Sequence, residues 1–134
     1  MSIEFPLKEK LTTLGKVIDP KITVELETKY GYIPVSFILD SGADCSMLPK
    51  SMAKAIGIDL KSCPSERSYG IEGKGVKVYI SSIKIKIRDI TSKVRCFFSE
   101  NEQTPFILGR IDFFRKFNVN FDNKNKKIIL IPIK

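Results

Sequence analysis

One carboxylate in this sequence stands where its position favours chemistry, at the end of an apolar run. Asp40 follows the segment 33–39, Ile-Pro-Val-Ser-Phe-Ile-Leu, and begins the tetrapeptide Asp40-Ser-Gly-Ala43. The run predicts a buried strand, and Ser and Gly predict a tight turn directly after it. A carboxylate held in such a turn can activate water, normally with a second carboxylate beside it. The tetrapeptide occurs once, so a catalytic Asp40 requires a second acid from another copy of the chain.

Residue counts exclude several other kinds of chemistry. The 134 residues include no histidine, which removes Ser-His-Asp and Cys-His nucleophilic sites and the usual His-rich catalytic zinc sites. The three cysteines, Cys45, Cys63 and Cys96, are odd in number and widely spaced. Neither a disulfide framework nor a Cys-x-x-Cys metal site is indicated, so reduced thiols are expected. No metal and no cofactor is predicted.

The net charge of +8 raises the alternative of a nucleic-acid binder. The basic residues are scattered, however, and Lys84 and Lys86 alternate with isoleucines as on the solvated face of a strand. No aromatic and basic recognition motif accompanies them, so no nucleic-acid partner is expected. No apolar run approaches the roughly 20 residues of a membrane span, and no secretory signal begins the sequence. The expectation is therefore a cytoplasmic protein with no membrane partner.

The apolar pattern predicts a mainly-β chain, because Ile and Val are plentiful and alternate with polar residues over short runs. One domain is expected over residues 1–134, with 1–20 an irregular N-terminal extension broken by Pro6, Gly15 and Pro20. Short helices are predicted at 49–56, ended by Gly57, and at 110–117. Strands are predicted at 22–26, 33–39, 76–80, 83–87, 94–98, 106–108, 119–121 and 128–133.

Three segments together resemble the retropepsin-like (retroviral-type) aspartic proteases, closest to the small bacterial and archaeal members. The first signature is Phe37-Ile-Leu-Asp-Ser-Gly-Ala-Asp44, and the second is Phe106-Ile-Leu-Gly-Arg110. Between them, Gly70-Ile-Glu-Gly-Lys-Gly75 takes the place of the family's glycine-rich flap. The resemblance implies a closed β-barrel with a flap hairpin and one or two short helices.

The resemblance also implies roles for the first signature. Asp40 is the expected catalytic acid, facing its copy in a homodimer, and Ser41 hydrogen-bonds across the dimer. Gly42 is expected to bond to the substrate main chain, and Ala43 to leave room beside the attacking water. Asp44 is expected to reach a substrate amide and to pair with Arg110, which supports the site together with Gly109.

The remaining expected site residues close over the substrate or line its pockets. The flap residues Gly70, Ile71, Glu72 and Gly73 are expected to cover a bound peptide. Apolar pocket walls are expected from Ile38, Met47, Ile71, Pro105 and Ile107.

Two functions of different classes follow. The first is a homodimeric aspartic endopeptidase that acts on a peptide or protein substrate through water activated by two Asp40 carboxylates. The alternative is a non-catalytic module that keeps the fold for peptide binding or dimerisation. Cleavage that depends on Asp40 distinguishes them.

Overall fold

The computed structural model describes residues 1–69, 73 and 75–134, and strands dominate it. The short helix α1 spans Ser51–Ile56, a single 3-10 turn spans Leu60–Ser62, and a kinked helical turn spans Arg110–Phe114. The strands are β1 (Ile3–Pro6), β2 (Lys8–Thr12), β3 (Gly15–Asp19), β4 (Lys21–Thr28), β5 (Gly31–Leu39), β6 (Ser46–Pro49), β7 (Ser65–Tyr69), β8 (Gly75–Ile87), β9 (Ile90–Ser99), β10 (Ile107–Leu108), β11 (Phe117–Asp122) and β12 (Lys127–Pro132).

The largest sheet closes on itself. Its strand order is β4-β5-β10-β6-β9-β8-β7, and β4 also pairs with β8 through Glu25 with Lys86 and Leu26 with Ile85. The β4–β8 pairing closes strands β4, β5, β10, β6, β9 and β8 into a ring. Strand β7 pairs with β8 outside this ring. The mainly-β fold expected from the apolar pattern is confirmed.

Alternation along the strands builds the core. In β8, Ile83, Ile85 and Ile87 are buried, and the residues between them face outward or lie half-buried. Side chains two apart in a strand share a face, so these isoleucines point into the ring. Phe37, Phe98 and other fully buried side chains fill the same interior. The predicted strands 76–80 and 83–87 are one continuous strand, β8.

A second, three-stranded sheet has the order β1-β12-β11. Ile3 pairs with Leu130 and Phe5 with Ile128, so the last strand lies between the first strand and β11. The predicted strands 119–121 and 128–133 correspond to β11 and β12, which pair as an antiparallel hairpin. The prediction that residues 1–20 are irregular is wrong, because Pro6 ends β1 and Pro20 follows β3, where a missing N–H costs no ladder bond.

Residues 8–19 form a hairpin that pairs only with itself. Its turn, Thr12 to Gly15, matches the turn Thr28 to Gly31 between β4 and β5. In each, the threonine hydroxyl donates to the glycine carbonyl, at 2.7 and 2.6 Å, and accepts from the N–H two residues on. Both glycines have positive φ, 113° and 104°, a region that few other residues tolerate.

The helix predictions need correction. Pro49 ends β6, and α1 begins only at Ser51; Gly57 does end it, with φ 96°. The predicted helix 110–117 is limited to the turn Arg110–Phe114, because Ile111 has ψ 133° and Asp112 has φ 64°. Phe113 rather than Phe114 is fully buried. Across the described ranges, no helix has the length and apolar character to cross a membrane.

Candidate active site

Asp40 lies at the end of β5, half-buried, in a turn fixed by its own backbone and side chain. Its N–H donates to the Leu108 carbonyl at 3.0 Å, and its carbonyl accepts from Ala43 N–H at 3.1 Å. Carboxylate Oδ1 accepts from Gly42 N–H at 2.9 Å. Ser41 and Gly42 are exposed at the tip of the turn. The carboxylate is therefore positioned by bonds within its own turn and to β10, next to an open surface.

The second signature packs directly against this turn. The N–H groups of Arg110 and Ile111 donate to the carbonyls of Ala43 and Asp44, at 2.8 and 2.9 Å. Gly109 passes so close that a Cβ atom there would lie 2.6 Å from the Cys45 carbonyl carbon. Its N–H donates at 3.0 Å to the buried hydroxyl of Ser46, which the sequence analysis missed. The only sequence signal for this contact was a single serine at the start of the apolar run 46–49.

The expected pair between Asp44 and Arg110 forms, through Asp44 Oδ1 and Arg110 Nη2. It lies in the open, with side chains 88% and 56% exposed respectively. Exposed pairs of this kind contribute little to stability, typically below about 1 kcal/mol. The backbone bonds, rather than this pair, hold the two signatures together within one chain.

A second ion pair near the site was not predicted. Arg95 on β9 donates to Asp112 from Nε at 2.8 Å, from Nη2 at 3.0 Å and from its backbone N–H at 2.9 Å. These bonds hold Asp112 in its left-handed conformation and fix the turn after Gly109. The hydrogen bonds from the Arg95 side chain lower the pKa of the Asp112 carboxyl to about 2. The contact is long-range, so no local pattern in the sequence points to it.

In the Asp112→Asn variant, the free energy of unfolding is expected to fall less steeply than in wild type as the pH is lowered. Because folding depresses its pKa, ionised Asp112 stabilises the fold above about pH 4, and this is lost as pH falls towards 2. The contribution is about 1–2 kcal/mol, reduced by the exposure of Arg95. Urea unfolding of wild type and variant between pH 2 and 6 measures it. Asp89→Asn, in the exposed β8–β9 turn, is the matched control. If the free energy of unfolding falls equally with acid in all three proteins, Asp112 is not the source of this pH dependence.

Three of the expected pocket residues lie side by side. Ile107 on β10 pairs with Ile38 on β5 and with Met47 on β6, so their side chains share one face of the sheet. All three are half-buried, whereas Leu39, Leu48 and Leu108 on the opposite face are buried in the core. Pro105, two residues before Ile107, is exposed.

The expected flap lies at the end of the β7–β8 hairpin. Its last described pair joins Tyr69 to Gly75, and Arg67 donates from Nη1 to the Gly75 carbonyl at 3.1 Å. Gly73 has φ 75°, consistent with the glycine requirement expected at the tip. The predictions for Gly70, Ile71 and Glu72 lie outside the described residues.

The thiols nearest the site are neutral. Cys45 is half-buried, and burial raises its pKa to about 11; burial also raises the pKa of Cys96. Neither thiol is therefore a nucleophile near neutral pH. In the part of the chain that is described, no three His, Cys, Asp or Glu side chains are grouped as metal ligands would be.

Known structures with the same fold come from bacterial, viral and protozoan sources. A retropepsin-like aspartic protease from Rickettsia conorii is 19% identical, with a TM-score of 0.63, 97% of this chain covered and 91% of the other. The retroviral protease-like domain of Ddi1 from Leishmania major is 16% identical, with a TM-score of 0.54 and coverages of 83% and 94%. EIAV protease in complex with the inhibitor HBY-793 is 22% identical, with a TM-score of 0.51 and coverages of 69% and 82%.

Sequence comparison gives the family. No curated protein matches this chain. The family described as aspartyl protease matches residues 22–111, which run from β4 through both signatures to the residue after Arg110. The chain belongs to the aspartyl protease family and has the retropepsin-like fold.

Proposed function

We propose that the protein is an aspartic endopeptidase that works as a homodimer, with Asp40 of each subunit forming a two-carboxylate site. The observation that supports this most directly is the position of Asp40. It is half-buried in a turn fixed by Gly42, Ala43 and Leu108, in a family of aspartyl proteases, and the motif occurs once in the chain.

The chemistry of such a pair follows from electrostatics. Two carboxylates a few ångströms apart cannot both ionise near neutral pH, so they share one proton and titrate as a pair. The ionised member takes a proton from water, and the water oxygen attacks the scissile carbonyl. The protonated member donates to the carbonyl oxygen, and collapse of the tetrahedral intermediate passes a proton to the leaving amine. No covalent intermediate with the enzyme forms.

The substrate in this proposal is a peptide bound as an extended strand. Main-chain groups of the peptide bond to Gly42 and Asp44 and to the flap, residues 70–73, which supports recognition largely independent of sequence. Side chains of the peptide contact the row of Ile38, Ile107 and Met47, with Pro105 nearby. These half-buried apolar side chains favour apolar substrate residues.

Activity should depend on association of two chains. Specific activity on a peptide library, read by mass spectrometry, is expected to fall towards zero as the protein is diluted below its dimer dissociation constant. A statine-type transition-state analogue should inhibit cleavage, and it should lower the dimer dissociation constant because it binds across both subunits. Activity in direct proportion to concentration in a protein shown to be monomeric would contradict the proposal. Dimers without cleavage would favour the non-catalytic module.

A further inference from the structure

The outer part of the hairpin β2–β3 is exposed, whereas Ile18 near its base packs against the core. It forms a sheet of only two strands, separate from the closed sheet and from β1-β12-β11. Leu14 at its turn is 96% exposed and Leu11 is 80% exposed, while Val17, which pairs with Lys10, is 40% exposed. An isolated two-stranded hairpin is at best marginally stable in water. A surface that receives its apolar side chains would stabilise it.

The base of this hairpin lies beside the catalytic turn. β3 ends at Asp19, and the carbonyl of the next residue, Pro20, accepts from Leu39 N–H at 2.7 Å. Leu39 directly precedes Asp40. The hairpin therefore leaves the body of the molecule next to the turn that a second subunit has to approach if two Asp40 carboxylates are to meet.

A cleft of about 300 Å³ with a mixed polar and apolar lining also adjoins this turn. Leu39 and Ser41 form one wall of the cleft. The opposite wall is formed by Phe114 and by β11, which is an edge strand of the three-stranded sheet. That side is lined by Phe114, Phe117, Val119 and Phe121, together with the polar Asn118. The volume is sufficient for one or two leucine-sized side chains.

We propose that β2–β3 is a dimerisation arm, which packs Leu11 and Leu14 of one subunit against the cleft between Ser41 and β11 of a second copy. The proposal rests on the proposed two-carboxylate dimer. In a two-fold dimer each contact occurs twice, so both arms and both clefts are covered at once. The base of the arm and the cleft both adjoin the Asp40 turn, which places them next to the two-fold axis implied by paired Asp40 residues.

The hairpin precedes residue 22, where the family match begins, so it lies outside the segment that carries both signatures.

The test compares two hairpins with the same turn. Leu14 and Tyr30 occupy equivalent positions in Thr-x-x-Gly turns, and Tyr30 is 89% exposed at the end of β4–β5 opposite Asp40. The dimer dissociation constant is measured by sedimentation equilibrium for Leu11→Ser/Leu14→Ser and for the control Tyr30→Ser. The leucine variant is expected to dimerise at least about tenfold more weakly, since four leucines are lost from the dimer. The control should match wild type.

A dissociation constant for the leucine variant within about twofold of wild type would overturn the arm, whatever the activity. A photo-crosslinking residue at position 14 gives an independent readout, with the crosslink expected within 114–121 of the other chain. A crosslink confined to other segments would also overturn it. So would leucine-dependent sedimentation with phosphatidylglycerol vesicles at unchanged dimer affinity, an outcome that indicates a membrane contact.

The arm and the proposed function fail separately. Weaker dimers of the leucine variant in a protein that cleaves no peptide would support the arm and contradict the peptidase. If the leucine variant dimerises as strongly as wild type and shows full Asp40-dependent cleavage, the result would contradict the arm and support the peptidase. A wild-type protein that is monomeric at every concentration would overturn both.

Discussion

Asp40→Asn is expected to lower peptide hydrolysis by at least about a thousandfold, the largest functional effect of any single substitution in this chain. The change removes the ionisable group from both members of the proposed pair. General acid catalysis and general base catalysis each raise the rate about 10²–10⁴-fold. Asparagine keeps an Oδ1 acceptor for the Gly42 N–H, so the turn should keep its shape. Steady-state cleavage of a peptide found in the library experiment measures the effect.

Asp89→Asn is the matched control, because it makes the same chemical change in the exposed turn between β8 and β9. It should leave cleavage unchanged. Dimer mass and thermal unfolding of Asp40→Asn should remain those of wild type, which separates loss of chemistry from loss of structure. Substantial cleavage by a folded, dimeric Asp40→Asn protein would rule out this carboxylate as the catalytic acid.

Gly109→Ala is expected to have the largest effect on stability, about 3 kcal/mol or more. Gly109 has φ −105° and ψ −169°, an extended conformation open to any residue, so space rather than backbone freedom requires glycine there. An added Cβ would lie 2.6 Å from both the carbonyl carbon and oxygen of Cys45 and 2.9 Å from the Ala43 carbonyl oxygen. Because all three are backbone atoms, relief would require β10 to move away from the catalytic turn.

Urea unfolding of Gly109→Ala and Gly42→Ala tests this steric argument. Among the described residues, a Cβ at Gly42 would meet only the Asp40 Oδ1 atom, at 3.2 Å, so that variant should lose less than about 1 kcal/mol. Equal stability of the two variants would show that the backbone around Cys45 relaxes freely.

The Asp40 turn and its neighbours were predictable because their signals are local. An apolar run followed by Asp40-Ser-Gly predicts a strand and a turn, and the short apolar segment before Gly109 predicts the strand β10. The row of Ile38, Met47 and Ile107 came instead from the family resemblance. Its geometry depends on β10 lying between β5 and β6, parallel to one and antiparallel to the other.

Long-range pairing explains what the sequence did not reveal. Pro6, Gly15 and Pro20 indicated breaks, yet β1 forms because β12 supplies its hydrogen-bond partners far along the chain. The apolar spacing of 110–117 favoured a helix, but three hydrogen bonds from Arg95 hold Asp112 at positive φ and end the helical turn early. In both places a distant contact overrides the local preference.

The dependence of the Asp40 turn on β10 also determines when the turn can form during synthesis. Gly109 bonds to Ser46 from 63 positions away, and Asp40 N–H reaches the carbonyl of Leu108. A nascent chain that has not yet exposed these residues carries Asp40 without the partners that position it. Such non-local contacts form late, because loop closure opposes them. The Asp40 turn would therefore be complete only after nearly the whole closed sheet has emerged from the ribosome.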